Sequence, residues 1–93
     1  MNPEQVEHEL NNRKGAMALV VRPSFGTQSD SWIGALTVTH RDFPMIFQVK
    51  GDVMTTIFRA DDVVNIEPAR NADADFILRL KGPLDFLPKL VTA

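Results

Sequence analysis

The sequence contains no cysteine and no tyrosine among its 93 residues. Without cysteine the chain forms no disulfide, has no thiolate nucleophile, and offers neither iron–sulfur ligands nor a zinc site of the cysteine type. The absence of tyrosine removes one candidate general acid. A chain without cysteine fits a reducing compartment, so we expect a cytoplasmic protein, although the same composition is also compatible with export.

Long apolar runs and an excess of charge are missing as well. No apolar run approaches the roughly 20 residues that a membrane-spanning helix needs. The first 15 residues, MNPEQVEHELNNRKG, are acidic and polar where a signal peptide is basic and then apolar. Ten basic and twelve acidic residues give a net charge of −2, which does not by itself indicate a nucleic-acid binder. We expect a soluble protein with no membrane segment.

Hydrophobic residues make up 44% of the chain, an ordinary share for a globular protein, and no linker divides it. We therefore expect a single domain, residues 1–93. A helix is predicted over about residues 3–14, because Asn2 can cap it and Pro3 suits the first helical turn. Gly15 supplies the stop.

After the helix, the hydrophobic period changes to two, which is typical of strands. Short strands are predicted at about 16–22, 32–41, 45–50, 53–59, 63–67 and 75–81, followed by a helical turn at about 83–90. This pattern predicts a mostly β (α+β) fold, namely a small antiparallel β-barrel or curled meander of five to six short strands with an N-terminal helix. Free sheet edges invite closure or self-pairing.

Alternation also predicts which side chains share the core face of these strands. The predicted core residues are Trp32, Leu36, Val38, Phe47, Val49, Phe76, Leu78 and Leu80. Gly34 lies inside one of these strands, and an isolated glycine there predicts a bulge, a sharp bend or a close backbone approach.

Two adjacent aspartates, Asp61 and Asp62, interrupt an extended stretch that reads FRADDVV. Aspartate is disfavoured inside strands and favoured in turns, where its side chain bonds the backbone. The pair therefore predicts a corner between two strands rather than a metal site or a proton-sharing pair. Small barrels of the SH3-like and Sm-like kinds use one-turn corners of this sort between strands. The comparison concerns architecture alone, since the chain contains no family motif.

Other candidate sites are weaker. His40 and Asp42 lie near a strand end, but a general base also needs a nucleophile or water within reach, and no hydroxyl lies in a nucleophile motif. Residues 71–75, NADAD, have the first ligand spacing of a calcium loop, yet Phe76 and Gly82 occupy its glycine and glutamate positions. We expect no catalytic residue, no metal site and no cofactor. A small enzyme around His40 remains the least favoured alternative.

The predicted outward strand faces carry basic and branched apolar side chains, and the candidate interaction residues come from both. These residues are Arg41, Lys50, Arg59, Arg79, Lys81, Ile33, Ile46 and Ile57. Ile77 also alternates onto the outward side, and Arg22 joins the basic residues in the nucleic-acid alternative. Isoleucines on a face that would otherwise be polar favour a non-catalytic interaction module that binds a protein partner or forms a homodimer. The alternative is a nucleic-acid-binding barrel that uses the basic face, which net charge does not support and which would need exposed aromatic residues for stacking.

Overall fold

The computed structural model describes residues 2–23, 29–69 and 73–82 and shows a mostly β protein with one N-terminal α-helix. The elements are α1 (Pro3–Asn12), β1 (Met17–Pro23), β2 (Ser29–His40), β3 (Ile46–Lys50), β4 (Thr55–Arg59), a 3₁₀ helix (Ala60–Asp62), β5 (Val63–Pro68) and β6 (Phe76–Leu80). They lie close to the predicted positions. The exception is β2, which begins within a stretch predicted as loop because Ser29 pairs with Pro23 of β1. The helical turn predicted at 83–90 lies outside the described residues.

Local sequence explains why α1 begins where it does. The Gln5 N–H donates to Asn2 Oδ1 (2.9 Å), and the Asn2 N–H donates to Gln5 Oε1 (3.1 Å). This reciprocal capping box satisfies amide groups that the first turn would otherwise leave unpaired. Val6 and Leu10, one turn apart, are buried and attach the helix to the sheet.

The six strands form one mixed sheet in the order β4-β3-β2-β1-β6-β5. The prediction of a wholly antiparallel sheet is wrong at one pair, because β1 and β6 run parallel. Two features of the strands are consistent with β6 rather than β5 lying next to β1. Phe76, Ile77 and Leu78 are all buried, which suits a strand with neighbours on both sides. Strand β5 ends in Pro68, which cannot donate to a ladder and belongs on an edge.

The sheet must curl, because its two edge strands are consecutive in the chain. Only the 3₁₀ helix separates the end of β4 from the start of β5. Four residue steps span at most about 14 Å, whereas the edges of a flat six-stranded sheet lie about 24 Å apart. In the part of the chain that the structure describes, β4 and β5 share no ladder, so the sheet is open and closure into a barrel is not shown.

The core lies between the inner face of the curled sheet and α1. Six of the eight predicted core residues are buried: Leu36, Phe47, Val49, Phe76, Leu78 and Leu80. Trp32 and Val38 are only partly buried and pack against the margin of this cluster. Phe58 of β4 completes it by stacking on Phe47, with ring centroids 5.7 Å apart.

Candidate interaction surface

The corner predicted at Asp61 and Asp62 is confirmed, since both residues belong to the 3₁₀ helix that joins β4 to β5. The Arg59 N–H donates to Asp62 Oδ2 (2.9 Å), and the Lys81 N–H donates to the Asp62 backbone carbonyl (2.8 Å). The Asp62 carboxylate therefore holds the backbone at the end of β4. Asp61 is exposed. Within residues 2–23, 29–69 and 73–82, no three carboxylate or histidine side chains lie close enough together to hold a metal ion.

Asparagine and alanine at position 62 should separate a structural role from a ligand role. Asp62→Asn keeps an acceptor for the Arg59 N–H, so we expect a change in the free energy of unfolding within about 0.5 kcal/mol. Asp62→Ala removes the acceptor and should cost about 0.5–1.5 kcal/mol. Urea unfolding measures both values. If calorimetry instead detects a divalent ion on the wild-type protein that Asp62→Asn no longer binds, the corner is a metal site.

A buried carboxylate at the helix was not found from the sequence. Glu7 is 8% exposed, and its Oε2 accepts a hydrogen bond from the N–H of Met45 (3.0 Å), the residue before β3. The sequence carries no signal for this contact, because the partner of Glu7 lies 38 residues away in the chain. This hydrogen bond connects α1 to the β2–β3 loop, so Glu7 has a structural role.

His40, the candidate general base, is exposed at the end of β2, and Asp42 is exposed just beyond it. A catalytic histidine is oriented by a hydrogen bond to a neighbouring acid or carbonyl. No hydrogen bond or ion pair to the His40 side chain occurs among the described residues. The surroundings of His40 therefore supply no observation in favour of an enzyme.

Most of the predicted basic residues are spread over the outer face of the sheet, the face turned away from α1, whereas Arg22 alternates with Ala18 and Val20 onto the inner face. On the neighbouring strands β3 and β4, Lys50 lies opposite Thr55 and Arg59 lies opposite Ile46. This register places the two cations at opposite ends of the ladder, about 13 Å apart along the strands. Arg79 forms an ion pair with Glu67 on β5, which offsets its charge.

The remaining basic residues lie at strand ends. Arg22 is half-buried near the end of β1, Arg41 is exposed after β2, and Lys81 is half-buried after β6. Phe43, close to Arg41 in the chain, is 65% exposed, which the alternation pattern did not indicate. Phe43 is the one exposed aromatic side chain among the residues that the structure describes, and it offers one stacking position, whereas single-stranded nucleic acid is held by successive stacking contacts along a basic groove. Nucleic-acid binding stays an untested prediction.

The four outward isoleucines do not share one environment. Ile33 and Ile46 are half-buried, Ile57 is 64% exposed, and Ile77 is 9% exposed. Ile77 is thus a correction to the predicted outward apolar set. It lies on β6 between the neighbouring strands β1 and β5.

The most exposed apolar surface surrounds edge strand β4. Val53 is 95% exposed, Met54 is 48% exposed, and Ile57 is 64% exposed, and we call these three residues the β4 rim. The Gly51 N–H donates to the Met54 carbonyl (2.8 Å), which closes a two-residue hairpin loop and leaves Val53 at its tip. The strand predicted at 53–59 included Val53 and Met54, which lie outside β4.

Beside the β4 rim, the outer face forms a cleft with a volume of about 470 Å³. Leu19 and Ile33 line its floor, and the rim residues Val53 and Met54 line one side. Trp32 also borders the cleft, and its Nε1 is buried without a hydrogen-bond partner. The apolar surface of the rim therefore continues onto the outer face of β2 and β1.

Comparisons with known proteins add no function to this geometry. Of the described residues, none belongs to a helix with the length and apolar character needed to cross a bilayer. No protein-family model, curated protein or solved structure matches the chain.

Proposed function

We propose that this protein is a non-catalytic interaction module that associates through the β4 rim, with a second copy of itself or with a protein partner. The observation that carries the proposal is the clustering of exposed apolar side chains. Of the six large apolar side chains that are exposed in the described residues, three lie within five consecutive positions, at Val53, Met54 and Ile57. Apolar residues scattered singly over a surface are ordinary, whereas several exposed ones close together in the chain beside an open strand edge are typical of a contact surface.

The energetics of the rim are those of a modest association. Removing a side chain of this size from water contributes roughly 1.5–3 kcal/mol. Three such side chains contribute about 4–9 kcal/mol, while association costs about 4–15 kcal/mol in lost freedom of motion. Because the cost equals or exceeds the gain over most of these ranges, burial of the rim alone gives at most a weak complex, and a tight one needs further contacts.

We also propose an architecture and a cellular location for this protein. The curl of the sheet and the 3₁₀ corner at Asp62 support a small barrel-like architecture of the SH3-like kind. The absence of cysteine supports a role in the cytoplasm.

Replacing Ile57 with lysine should weaken self-association without unfolding the protein. A charge at this position loses an apolar neighbour in the complex but stays hydrated in the monomer, so the free energy of unfolding should change by no more than about 0.5 kcal/mol. Sedimentation over about a hundredfold range of concentration measures the dimer, whose population follows mass action.

Val64→Lys is the matched control for this experiment. Val64 is a β-branched residue on the opposite edge strand, β5, and is 61% exposed, close to the 64% of Ile57. We expect Val64→Lys to leave association unchanged. Equal weakening by the two variants would show that added charge acts generally and that the β4 rim is not the contact surface.

A further inference from the structure

The two edges of the sheet differ in how their outward amide groups are satisfied. On β5 the Val63 N–H donates to the Ala60 carbonyl, and the Ile66 N–H donates to Asn65 Oδ1 (3.0 Å). Pro68 has no N–H to offer. The ladder with β6 is interrupted by a register shift between Val63 and Asn65. A bulge, a proline and side-chain capping are the devices by which natural sheets prevent an edge from pairing with another chain.

Edge β4 has a regular ladder, and two hydrogen bonds set its phase. At the hairpin, the Gly51 N–H donates to the Met54 carbonyl (2.8 Å), so these residues form a hydrogen-bonded pair. In an antiparallel ladder such pairs alternate with pairs that do not bond each other. At the other end, the Arg59 N–H bonds Asp62 Oδ2 and so points away from β3. The register between β3 and β4 is uninterrupted, and both ends give the same phase.

This phase directs the N–H and C=O groups of Thr55, Ile57 and Arg59 away from β3, toward the free edge. The Asp62 carboxylate occupies the N–H of Arg59. Outside the strand ladders, no hydrogen bond from the N–H of Thr55 or Ile57 occurs among the described residues. Strand β4 is therefore the edge that is open to pairing, and its central residue, Ile57, is also the exposed apolar side chain of the rim.

We propose that β4 pairs antiparallel with β4 of a second copy of this chain, about a twofold axis at Ile57. The inference rests on the proposed function and names the partner and the contact. About this axis, Ile57 faces the partner's Ile57 and exchanges hydrogen bonds with it in both directions. The Thr55 N–H donates to the carbonyl of the partner's Arg59.

The donor pattern favours a second copy because the open edge is complementary to itself. The pairing gives a partner to every open N–H of both strands. It needs no hydrogen bond from the Arg59 N–H, which already donates to Asp62. Ile57 meets the partner's Ile57 on the outer face, and an aliphatic contact across strands stabilises such a pair. Twofold dimers are also the commonest closed assembly of soluble proteins. A five-residue strand buries less area than a stable interface needs, so the dimer should be weak.

Amide hydrogen exchange along β4 tests both which of its amides point away from β3 and whether those amides pair with a second copy. In dilute protein the amides of Thr56 and Phe58, which bond β3, should exchange slowly, and those of Thr55 and Ile57 should exchange fast. Raising the protein concentration should slow the exchange of the Thr55 and Ile57 amides and leave that of the Thr56 and Phe58 amides unchanged. Fast exchange at Thr55 and Ile57 at every concentration would overturn the proposal.

A proline at position 55 removes one open donor and leaves the ladder with β3 intact. Thr55→Pro should raise the dissociation constant of the dimer by about tenfold or more, because symmetry removes the bond twice. Thr55→Val keeps the N–H and the branched side chain, and it should leave the dissociation constant unchanged. Circular dichroism and melting confirm that both variants fold.

The outcomes separate this inference from the proposed function. A dimer that survives Thr55→Pro but not Ile57→Lys overturns strand pairing and leaves the β4 rim as the contact surface. A dimer that survives both variants overturns both proposals. A monomer at every concentration overturns the proposal that a second copy binds here. The partner of the β4 rim would then be a different protein. Loss of the dimer in Thr55→Pro, with Thr55→Val unaffected, supports strand pairing.

Discussion

Replacing Phe76 with alanine should lower the free energy of unfolding by about 3–5 kcal/mol. Phe76 is fully buried in β6, and the Arg13 guanidinium lies over its ring, 5.1 Å from the centroid. Truncation therefore removes apolar contacts from the core and leaves a cavity that the neighbouring strands cannot fill. Leu36→Ala, at an equally buried position in β2, should cost about 2–5 kcal/mol.

These losses are large for a protein of this size, whose total stability is expected to be about 5–14 kcal/mol. Urea unfolding followed by the fluorescence of Trp32, the single tryptophan, measures them. Ile57→Ala is the control, since Ile57 is 64% exposed and its truncation should change the free energy of unfolding by about 0.5 kcal/mol or less. Near-neutral Phe76→Ala and Leu36→Ala variants would show that the strand register is wrong.

Adding a side chain at Gly34 should also be severely destabilising. A Cβ atom at this position would lie 2.4 Å from the Lys50 carbonyl oxygen and 2.9 Å from the Gly51 nitrogen. Both contacts are with backbone at the end of β3, so a side chain fits only if the β3–β4 hairpin shifts. We expect Gly34→Val to lower the free energy of unfolding by about 3 kcal/mol or more.

Gly51→Ala is the comparison for Gly34, because its added Cβ would meet its nearest atom, the Ile33 carbonyl oxygen, at 3.0 Å. A neighbour at that distance has to move by only a few tenths of an ångström, so the loss of stability should be smaller. Thermal unfolding of both variants measures the difference. Gly34→Val with the melting temperature of the wild-type protein would mean that β3 does not approach β2 this closely.

Much of the local structure follows from sequence alone, because it depends on neighbours in the chain. The cap at Asn2 and Gln5 starts α1 where predicted, and the aspartate pair at Asp61 and Asp62 turns the chain where predicted. Alternation identified six buried core residues, since a strand places every second side chain on one face whatever its partners. Gly34 was also identified as a position of close backbone approach or bending.

The sequence predicted less of the candidate contact surface. Ile57 was singled out from alternation, and the structure leaves it exposed. Val53 and Met54 were assigned to strand, although the hydrogen bond that closes the hairpin leaves both outside it. The basic residues were expected to share a face, but the pairing of Arg79 with Glu67 and the register of Lys50 and Arg59 depend on contacts between strands.

The order of the strands was decided only by the tertiary structure. The alternating pattern of β5 and β6 allows either strand to pair with β1, and only the packed sheet shows that β6 takes the inner place, parallel to β1. That choice buries Ile77, makes β5 and β4 the two edges, and leaves the amides of Thr55 and Ile57 open. The physical reason is that side-chain alternation and turn chemistry act over a few residues, whereas the neighbours of a strand depend on burial and hydrogen bonding across the whole sheet.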